Sequence, residues 1–234
     1  MSLLSVVQSV APLLGINRPA VALNSTDITI QQLVAIVQEE GDELARRHDW
    51  GALKTPLPGT FTGDGTTLSF ALPANFHRLP NGPIFWRRDR SYMPLSGPMS
   101  DMEWRALQAV NFTSVVNYAW RVRRPNVEVF PALPAGEIVD YEYLSQAWIV
   151  TAANDRVTAL TNDTDTFLVP EVLLKLGTRW RWKKSKGLEY AEDFRTYEMM
   201  LGIEADADKG RAIFATGSGD NDLPTPQVPD QVIV

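Results

Sequence analysis

Residues 173–198 read LLKLGTRWRWKKSKGLEYAEDFRTYE, and this stretch decides how the fold is interpreted. Its apolar side chains recur at the spacing of an amphipathic helix, in which residues three and four positions apart share one face. Leu173, Leu176 and Trp180 form one such face. A second apolar stripe consists of Tyr190, Phe194, Tyr197 and Leu201. The pattern predicts one long helix that runs to about Leu201 and that Gly187 bends without breaking.

The centre of this stretch, RWRWKKSK at residues 179–186, is cationic in five of its eight positions. On a helical wheel, one side carries Arg179, Trp182, Lys183 and Lys186. Arg181 lies apart from them. We therefore expect Trp180 to be buried and Trp182 to be more exposed. Three interpretations are open at this point: a solvated face, an interface to an acidic protein neighbour, and a nucleic-acid contact.

The composition excludes several classes of protein. The chain has 234 residues, a net charge of -6 and no cysteine. The lack of cysteine excludes disulfides and thiolate metal sites, and the acidic balance argues against a protein that binds DNA phosphates over its whole surface. No stretch reaches the roughly 20 apolar residues of a membrane-spanning helix. Since the N-terminus also lacks the basic leader of a signal peptide, we expect a soluble protein made inside the cell.

The N-terminal region predicts two helices. Residues 2–14 have helical apolar spacing, which stops at Gly15. Residues 24–27 supply N-cap candidates for a second helix, whose apolar face extends from Ile30 to His48. The other faces of this helix are largely acidic and include Glu39, Asp42 and Glu43.

The middle of the chain changes character. Residues 54–152 are rich in Pro and Gly and contain short β-type runs. Residues 62–73 predict a hairpin with Gly63-Asp64-Gly65 in its turn. One short helix is predicted at 100–110, where Ser100 and Glu103 have the spacing of a capping box. Further strands are predicted at 83–88, 91–95, 115–124, 126–133 and 137–150.

The segment after Gly202 is polar and rich in Pro and Gly, so residues 203–234 cannot form a core of their own. It nevertheless contains apolar residues that can act as anchors: Ile213, Phe214, Val228 and Ile233. We predict an extended C-terminal arm that becomes ordered on a partner surface.

The sequence contains no motif for phosphate-loop, dinucleotide or zinc-protease chemistry. Asp163 and Asp165 are interpreted as caps before the last helix, with a metal site as the weaker alternative. The two histidines, His48 and His77, lie in no pattern that indicates a hydrolase. We therefore predict no catalytic residue, no cofactor-binding residue and no metal ligand.

Together these patterns predict an α+β fold. The N- and C-terminal helices form a bundle, a small β-subdomain is inserted between them, and an extended C-terminal arm follows. The predicted divisions are 1–53 for the first bundle helices, 54–152 for the β-rich insertion, 153–202 for a loop and the last bundle helix, and 203–234 for the arm.

Three stretches resemble the head-to-tail adaptor (connector) proteins of tailed bacteriophages: residues 163–198, 39–53 and 139–150. The last helix is the most specific of them. The resemblance implies a structural virion protein without catalysis or cofactor, made in the host cytoplasm and located at the head-tail junction. Such proteins form a ring, commonly of twelve copies, under the portal protein. The ring extends the channel through which genomic DNA passes, and it docks tail or nozzle proteins.

A ring subunit needs two different lateral faces that fit each other. The cationic residues Arg179, Trp182, Lys183 and Lys186 can supply one face, and Glu39, Asp42 and Glu43 of a neighbouring copy can supply the other. Two rival functions remain. One is a nucleic-acid-binding protein that uses residues 179–186, and the other is a phage-encoded hydrolase that uses Asp or Glu.

Overall fold

Helices and small antiparallel sheets share the chain, which confirms the α+β class. The computed structural model describes residues 2–55, 59–80, 84–88, 94–109 and 118–208, and the structural statements below refer to these residues. The α-helices are α1 (Leu3–Val10), α2 (Ile28–Arg47), α3 (Asp101–Ala109), α4 (Glu171–Ser185) and α5 (Ala191–Asp208).

The first two helices begin and end where the sequence predicts. The Ser2 hydroxyl accepts from the backbone N–H of Ser5 at the start of α1, and Asp27 accepts from Thr29 at the start of α2. These contacts satisfy N–H groups that have no partner inside the helix. A short 3-10 helix extends α1 to Leu14, and Gly15 ends it in the left-handed conformation, with φ of 73°.

The N-terminal helices and the helices α4 and α5 share a hydrophobic core. Helix α4 packs against α1, α2 and α5. One cluster joins Leu44 and Trp50 from the N-terminal part to Leu173, Trp180 and Tyr197 from the C-terminal part. A second cluster joins α1 and α2 to Trp182 of α4. Helices α4 and α5 therefore supply a large part of the cover of the N-terminal helices.

The prediction of one long C-terminal helix to Leu201 is wrong, because the helix ends at Ser185 and a second one begins at Ala191. Gly187 is left-handed, with φ of 68°. The backbone N–H of Leu188 donates a hydrogen bond to the carbonyl oxygen of Lys183 at 2.9 Å. Glycine adopts this conformation without steric cost, so it ends the helix rather than bending it. The chain reverses, and α5 packs back on α4.

Helix α5 continues to Asp208, so the predicted start of the arm at residue 203 is also wrong. Residues 203–208 form the last turns of α5. The remainder of the predicted arm, 209–234, lies outside the described residues, as do its four anchor residues.

The strands are short and form several sheets. Their bounds are β1 (Gly59–Thr62), β2 (Ser69–Ala71), β3 (Phe76–Arg78), β4 (Phe85–Arg87), β5 (Ala119–Arg123), β6 (Asn126–Phe130), β7 (Ile138–Tyr141), β8 (Leu144–Ser145), β9 (Ile149–Val150), β10 (Arg156–Val157) and β11 (Thr166–Phe167). The strand orders are β1-β7-β4, β2-β6-β5, β10-β9-β11 and β3-β8. A third cluster, which includes Phe85, Trp120 and Tyr141, fills the space between the first two sheets.

Two strand predictions are wrong in their pairing. The hairpin predicted at 62–73 does not form, because β1 pairs with β7 and β2 pairs with β6. The strand predicted at 137–150 is three strands in three sheets, β7, β8 and β9. Neighbours far along the chain decide both outcomes. In contrast, the capping box of α3 is confirmed, since Ser100 and Glu103 bond reciprocally.

Candidate interaction surface

Arg181 lies at the centre of an ionic network between α4 and α2. Its Nε is 2.5 Å from Glu40 Oε2, and its Nη1 is 2.8 Å from Glu39 Oε1. Its Nη2 pairs with the carboxylate of Glu43. Arg181 lies apart from Arg179 and Lys183, as the helical wheel predicts, since those two cations face α5; its role as the partner of the α2 acids was not predicted. The signal that was missed is the acidic run at positions 39, 40 and 43 of α2, where an opposing helix needs a cation.

Glu40 is the fully buried member of this network. Burial raises the pKa of its carboxyl group, and the hydroxyl of Tyr197 and the guanidinium of Arg181 offset part of that rise. The carboxylate fits between the helices because position 177 is glycine. A Cβ at Gly177 would overlap the Glu40 side chain. Helices α2, α4 and α5 therefore all contact one buried carboxyl group, that of Glu40.

Two predicted interface cations, Arg179 and Lys183, bind α5 of the same chain. Both contact the nearly buried carboxylate of Asp193, and Lys183 Nζ lies 2.5 Å from Asp193 Oδ2. Burial acts to raise the pKa of Asp193, but the two cations outweigh it and the net pKa is lowered. These ion pairs hold the start of α5 against α4.

The expected exposure of Trp182 is wrong. Its side chain is 5% exposed, compared with 7% for Trp180, whose burial is as predicted. Trp182 packs among residues of α1 and α2, so α4 is covered on two sides. The ammonium group of Lys186 lies 4.5 Å from the Trp182 ring centroid and donates to Gln32 at 2.7 Å.

The predicted acidic candidates also have partners inside the chain. Glu39 and Glu43 bind Arg181, as described above. Asp42 accepts a hydrogen bond from Trp148 Nε1 at 2.8 Å and another from Gln38. Attraction between α2 acids and α4 cations is therefore present, but it acts within one copy. Contact of these side chains with a neighbouring copy stays a prediction.

The interpretation of Asp163 and Asp165 as helix caps is wrong. Asp163 accepts from the backbone N–H groups of Ala22 and Leu23 at 2.9 and 2.7 Å, which fixes the loop before α2. Asp165 is buried and accepts from two N–H groups of its own loop. The N-cap position of α4 is Pro170, which makes no side-chain cap. Across the described residues, no group of three or more His, Asp or Glu side chains is arranged to hold a metal ion.

An apolar patch lies exposed where α4 turns into α5. Leu188 is 55% exposed, Tyr190 37% and Phe194 38%, and we call these three residues the hairpin patch. The sequence predicts one apolar stripe for Tyr190, Phe194 and Tyr197, but of these three only Tyr197 is fully buried. The Phe194 ring contacts the Trp180 ring edge-on at a centroid distance of 5.1 Å. The patch is thus held in place by the core beneath it.

The chain matches a known protein family. A family model with the description SU10 adaptor protein matches residues 1–226. A search of curated proteins found no match. In the part of the chain that the structure describes, no helix combines the length and apolar character needed to cross a membrane.

Proposed function

The chain belongs to the SU10 adaptor protein family, a family of bacteriophage structural proteins, and on this premise we propose that it is the head-to-tail adaptor of a tailed-phage virion. In this proposal it forms a ring of twelve copies beneath the portal protein, extends the DNA channel and docks tail or nozzle proteins. The family match over nearly the whole chain carries the proposal.

We further interpret α1, α2, α4 and α5 as a helical bundle, with residues 54–152 as a β-rich insertion. The shared core between the two ends of the chain supports this division. The separate aromatic cluster around Phe85 and Trp120 supports it as well. In this interpretation residues 209–234 are the C-terminal arm, which binds a neighbouring copy or the portal.

A closed ring requires that one face of a copy fit a different face of the next. The hairpin patch supports such a contact because exposed apolar side chains are costly unless a partner covers them. The exposed parts of Glu39, Lys183 and Lys186 can add charge complementarity elsewhere on the contact. The net charge of -6 suits a DNA channel, because a strongly basic lining would retain the passing DNA.

The rival nucleic-acid function of residues 179–186 is weakened by the ion pairs described above. Arg179, Arg181 and Lys183 are each bound to carboxylates of the same chain. A phosphate would have to displace these carboxylates. Steep loss of DNA affinity with added salt would favour the rival function.

The proposal is tested by mixing the purified protein with the portal protein of the same phage. Light scattering and negative-stain images are expected to show a ring stacked on one end of the portal. A protein that stays monomeric at every concentration and does not bind the portal would contradict the proposal. Turnover of a substrate by the monomer would point to the hydrolase alternative.

A further inference from the structure

An open cleft of about 830 Å³ lies along one side of α2. Val34 and Ala35 of α2 and Leu160 of a nearby loop give it an apolar wall. Arg46, His77 and Arg124 also line it. The cleft therefore combines an apolar surface with cationic side chains, which suits a ligand that is both apolar and anionic.

The cleft opens away from α4 and α5. An α-helix turns by about 100° per residue, so Gln31, Gln38 and Arg46, which line the cleft, share one side of α2. Glu40 and Arg47 lie on the opposite side, where they bind Arg181 of α4 and Glu198 of α5. The neighbouring helices of the same chain thus leave the cleft uncovered.

The cationic side chains of the cleft are not neutralised within the described residues. Neither Arg46 nor Arg124 forms an ion pair there with a carboxylate. Arg124 donates to the carbonyl oxygen of His77, and Arg78 Nη1 lies 2.8 Å from His77 Nδ1. Since a guanidinium only donates, His77 Nδ1 accepts and the ring proton is on Nε2. Asp42 also lines the cleft, but its Oδ1 is bound by Trp148 and Gln38.

His77 reports the electrostatic potential of the cleft. Burial lowers the pKa of its imidazole, and the positive charges of Arg78, Arg124 and Arg46 lower it further, against a small opposing effect of Asp49. A bound anion would reverse this effect and raise the pKa.

The sequence contains a segment with the complementary character. Residues 212–234 carry Asp220, Asp222 and Asp230 and have no Lys or Arg. The same segment contains apolar residues, among them Leu223 and Val228, and three prolines that favour an extended backbone. Such a chain can place apolar and acidic side chains side by side along a cleft.

We propose that this cleft receives residues 212–234 of a neighbouring copy of the chain, with its aspartates beside Arg46 and Arg124 and its apolar residues against Val34 and Leu160. The inference rests on the proposed ring, and it identifies one contact between its copies. It gives each copy a donor segment and an acceptor cleft, which is what a head-to-tail ring contact requires.

The choice of a neighbour's segment over the chain's own follows from the proposed ring, which needs a contact between copies. Asp208 Oδ2 accepts from the backbone N–H of Gly51 at 2.9 Å and lies 3.3 Å from His48 Nε2. Asp208, the last described residue, therefore lies beside the C-terminal end of α2. The 12 residues from Asp208 to Asp220 span at most about 40 Å when extended, a reach that serves a neighbour's cleft or the chain's own, and the crosslinks described below distinguish the two.

The test uses disulfide crosslinking between full-length chains, because the sequence contains no native cysteine. One chain carries Thr158→Cys at the cleft, and a second, distinguishable by mass, carries Asn221→Cys. Under mild oxidation we expect a heterodimer in several-fold higher yield than from a control pair in which Glu192→Cys, exposed on α5, replaces Thr158→Cys.

Charge variants separate the proposed contact from random collision. The Thr158→Cys chain is also made with two further changes, Arg46→Gln and Arg124→Gln. This double change is expected to reduce the yield of heterodimer several-fold. Arg105→Gln with Arg195→Gln removes the same charge elsewhere and is expected to leave the yield unchanged. Equal losses in the two double variants would overturn the proposal, because they would show a general effect of net charge.

A second measurement does not depend on substitutions in the cleft. The chain has only two histidines, so NMR resolves the titration of each imidazole. In a variant with all three aspartates of the segment changed to Asn, the pKa of His77 is expected to fall relative to the unchanged protein. His48 serves as the internal control. An unchanged pKa of His77 at a concentration where copies associate would overturn the proposal.

The remaining outcomes separate this inference from the proposed function. Disulfides that form only within a chain carrying both cysteines would show that the cleft holds its own segment. Loss of DNA affinity in the cleft variant, with unchanged crosslinking, would assign the cleft to nucleic acid. Rings on the portal without the crosslink would overturn the cleft contact and retain the adaptor function. A crosslink between copies that form no ring would support the contact and contradict the ring.

Discussion

At the scale of single residues, Arg181 stands out because it pairs with three carboxylates of α2. It neutralises a fully buried carboxylate, Glu40, and removing one partner of a buried pair typically costs about 3–5 kcal/mol. We expect Arg181→Met to lower the free energy of unfolding by this amount in urea titrations. Lys184→Met is the matched control on the same helix, because Lys184 is exposed and is expected to change stability little.

The defect of Arg181→Met should depend on pH. Burial already raises the pKa of Glu40, so the folded state binds this proton more readily than the unfolded chain does. A carboxyl group with a raised pKa contributes stability at low pH and loses it as pH rises through the folded-state value. The defect is therefore expected to be smaller at about pH 5 than at about pH 8. An equal defect at both would show that the uncompensated charge is not its cause.

The pKa of Asp193 is shifted in the opposite direction to that of Glu40. Because its folded-state pKa is lowered by Arg179 and Lys183, its contribution is present above the ordinary carboxyl pKa and is lost as pH falls through the lowered value. Asp193→Asn should lower the melting temperature at neutral pH and have little effect in strong acid. Calorimetry across this range checks the expectation, with the exposed Glu192→Gln as the control.

At the scale of elements, two helical glycines have opposite roles. Alanine normally stabilises a helix by about 1 kcal/mol relative to glycine. A Cβ at Gly41 of α2, however, would overlap the indole ring of Trp148, whereas a Cβ at Gly202 of α5 meets no atom within 4 Å. Overpacking costs about 1–3 kcal/mol. We expect Gly41→Ala to be destabilising and Gly202→Ala to be stabilising in urea unfolding. Equal gains in both would contradict the packing of Trp148 on α2.

The elements also show how far sequence reasoning reaches. Periodicity and capping residues are local, so α1, α2 and α3 were predicted with nearly correct bounds. The break at Gly187 was missed because the apolar stripe continues through it, and only the packing of α5 on α4 requires the turn. The hairpin at 62–73 failed for a related reason. Its two strands have better partners in β6 and β7, more than fifty residues away.

The candidate site shows the same limit. A helical wheel correctly placed Leu173 and Trp180 in one buried cluster of α4, but it grouped Trp182 with Arg179 and Lys183, and it does not tell which helix covers each face. Trp182 looked exposed because α1, which covers it, lies at the other end of the chain. The acids of α2 were correctly matched in charge to the cations of α4, yet the pairing occurs within one copy and through Arg181.

At the scale of the whole molecule, the hairpin patch predicts an effect on assembly. Leu188 contributes little to the core because it is exposed, so Leu188→Ser should leave the melting temperature of the monomer nearly unchanged. If the patch contacts another copy, the same change should weaken self-association in sedimentation experiments. Leu13→Ser is the control, because it removes a leucine that is 66% exposed, compared with 55% for Leu188, near the opposite end of the sequence. Equal effects of the two changes would mean that the patch has no special role.

The shared core of the two chain ends also has a consequence for biosynthesis. Arg181 and Glu40, which meet in the folded protein, are 141 positions apart in sequence. A ribosome adds about 5–20 residues per second, so α4 is synthesised on the order of 10 seconds after α2. During that interval the apolar face of α2, including Leu33 and Leu44, lacks its final cover. The nascent protein therefore depends on α4 and α5, which are made after α2, and chains that terminate before these helices expose an apolar surface to chaperones and to aggregation.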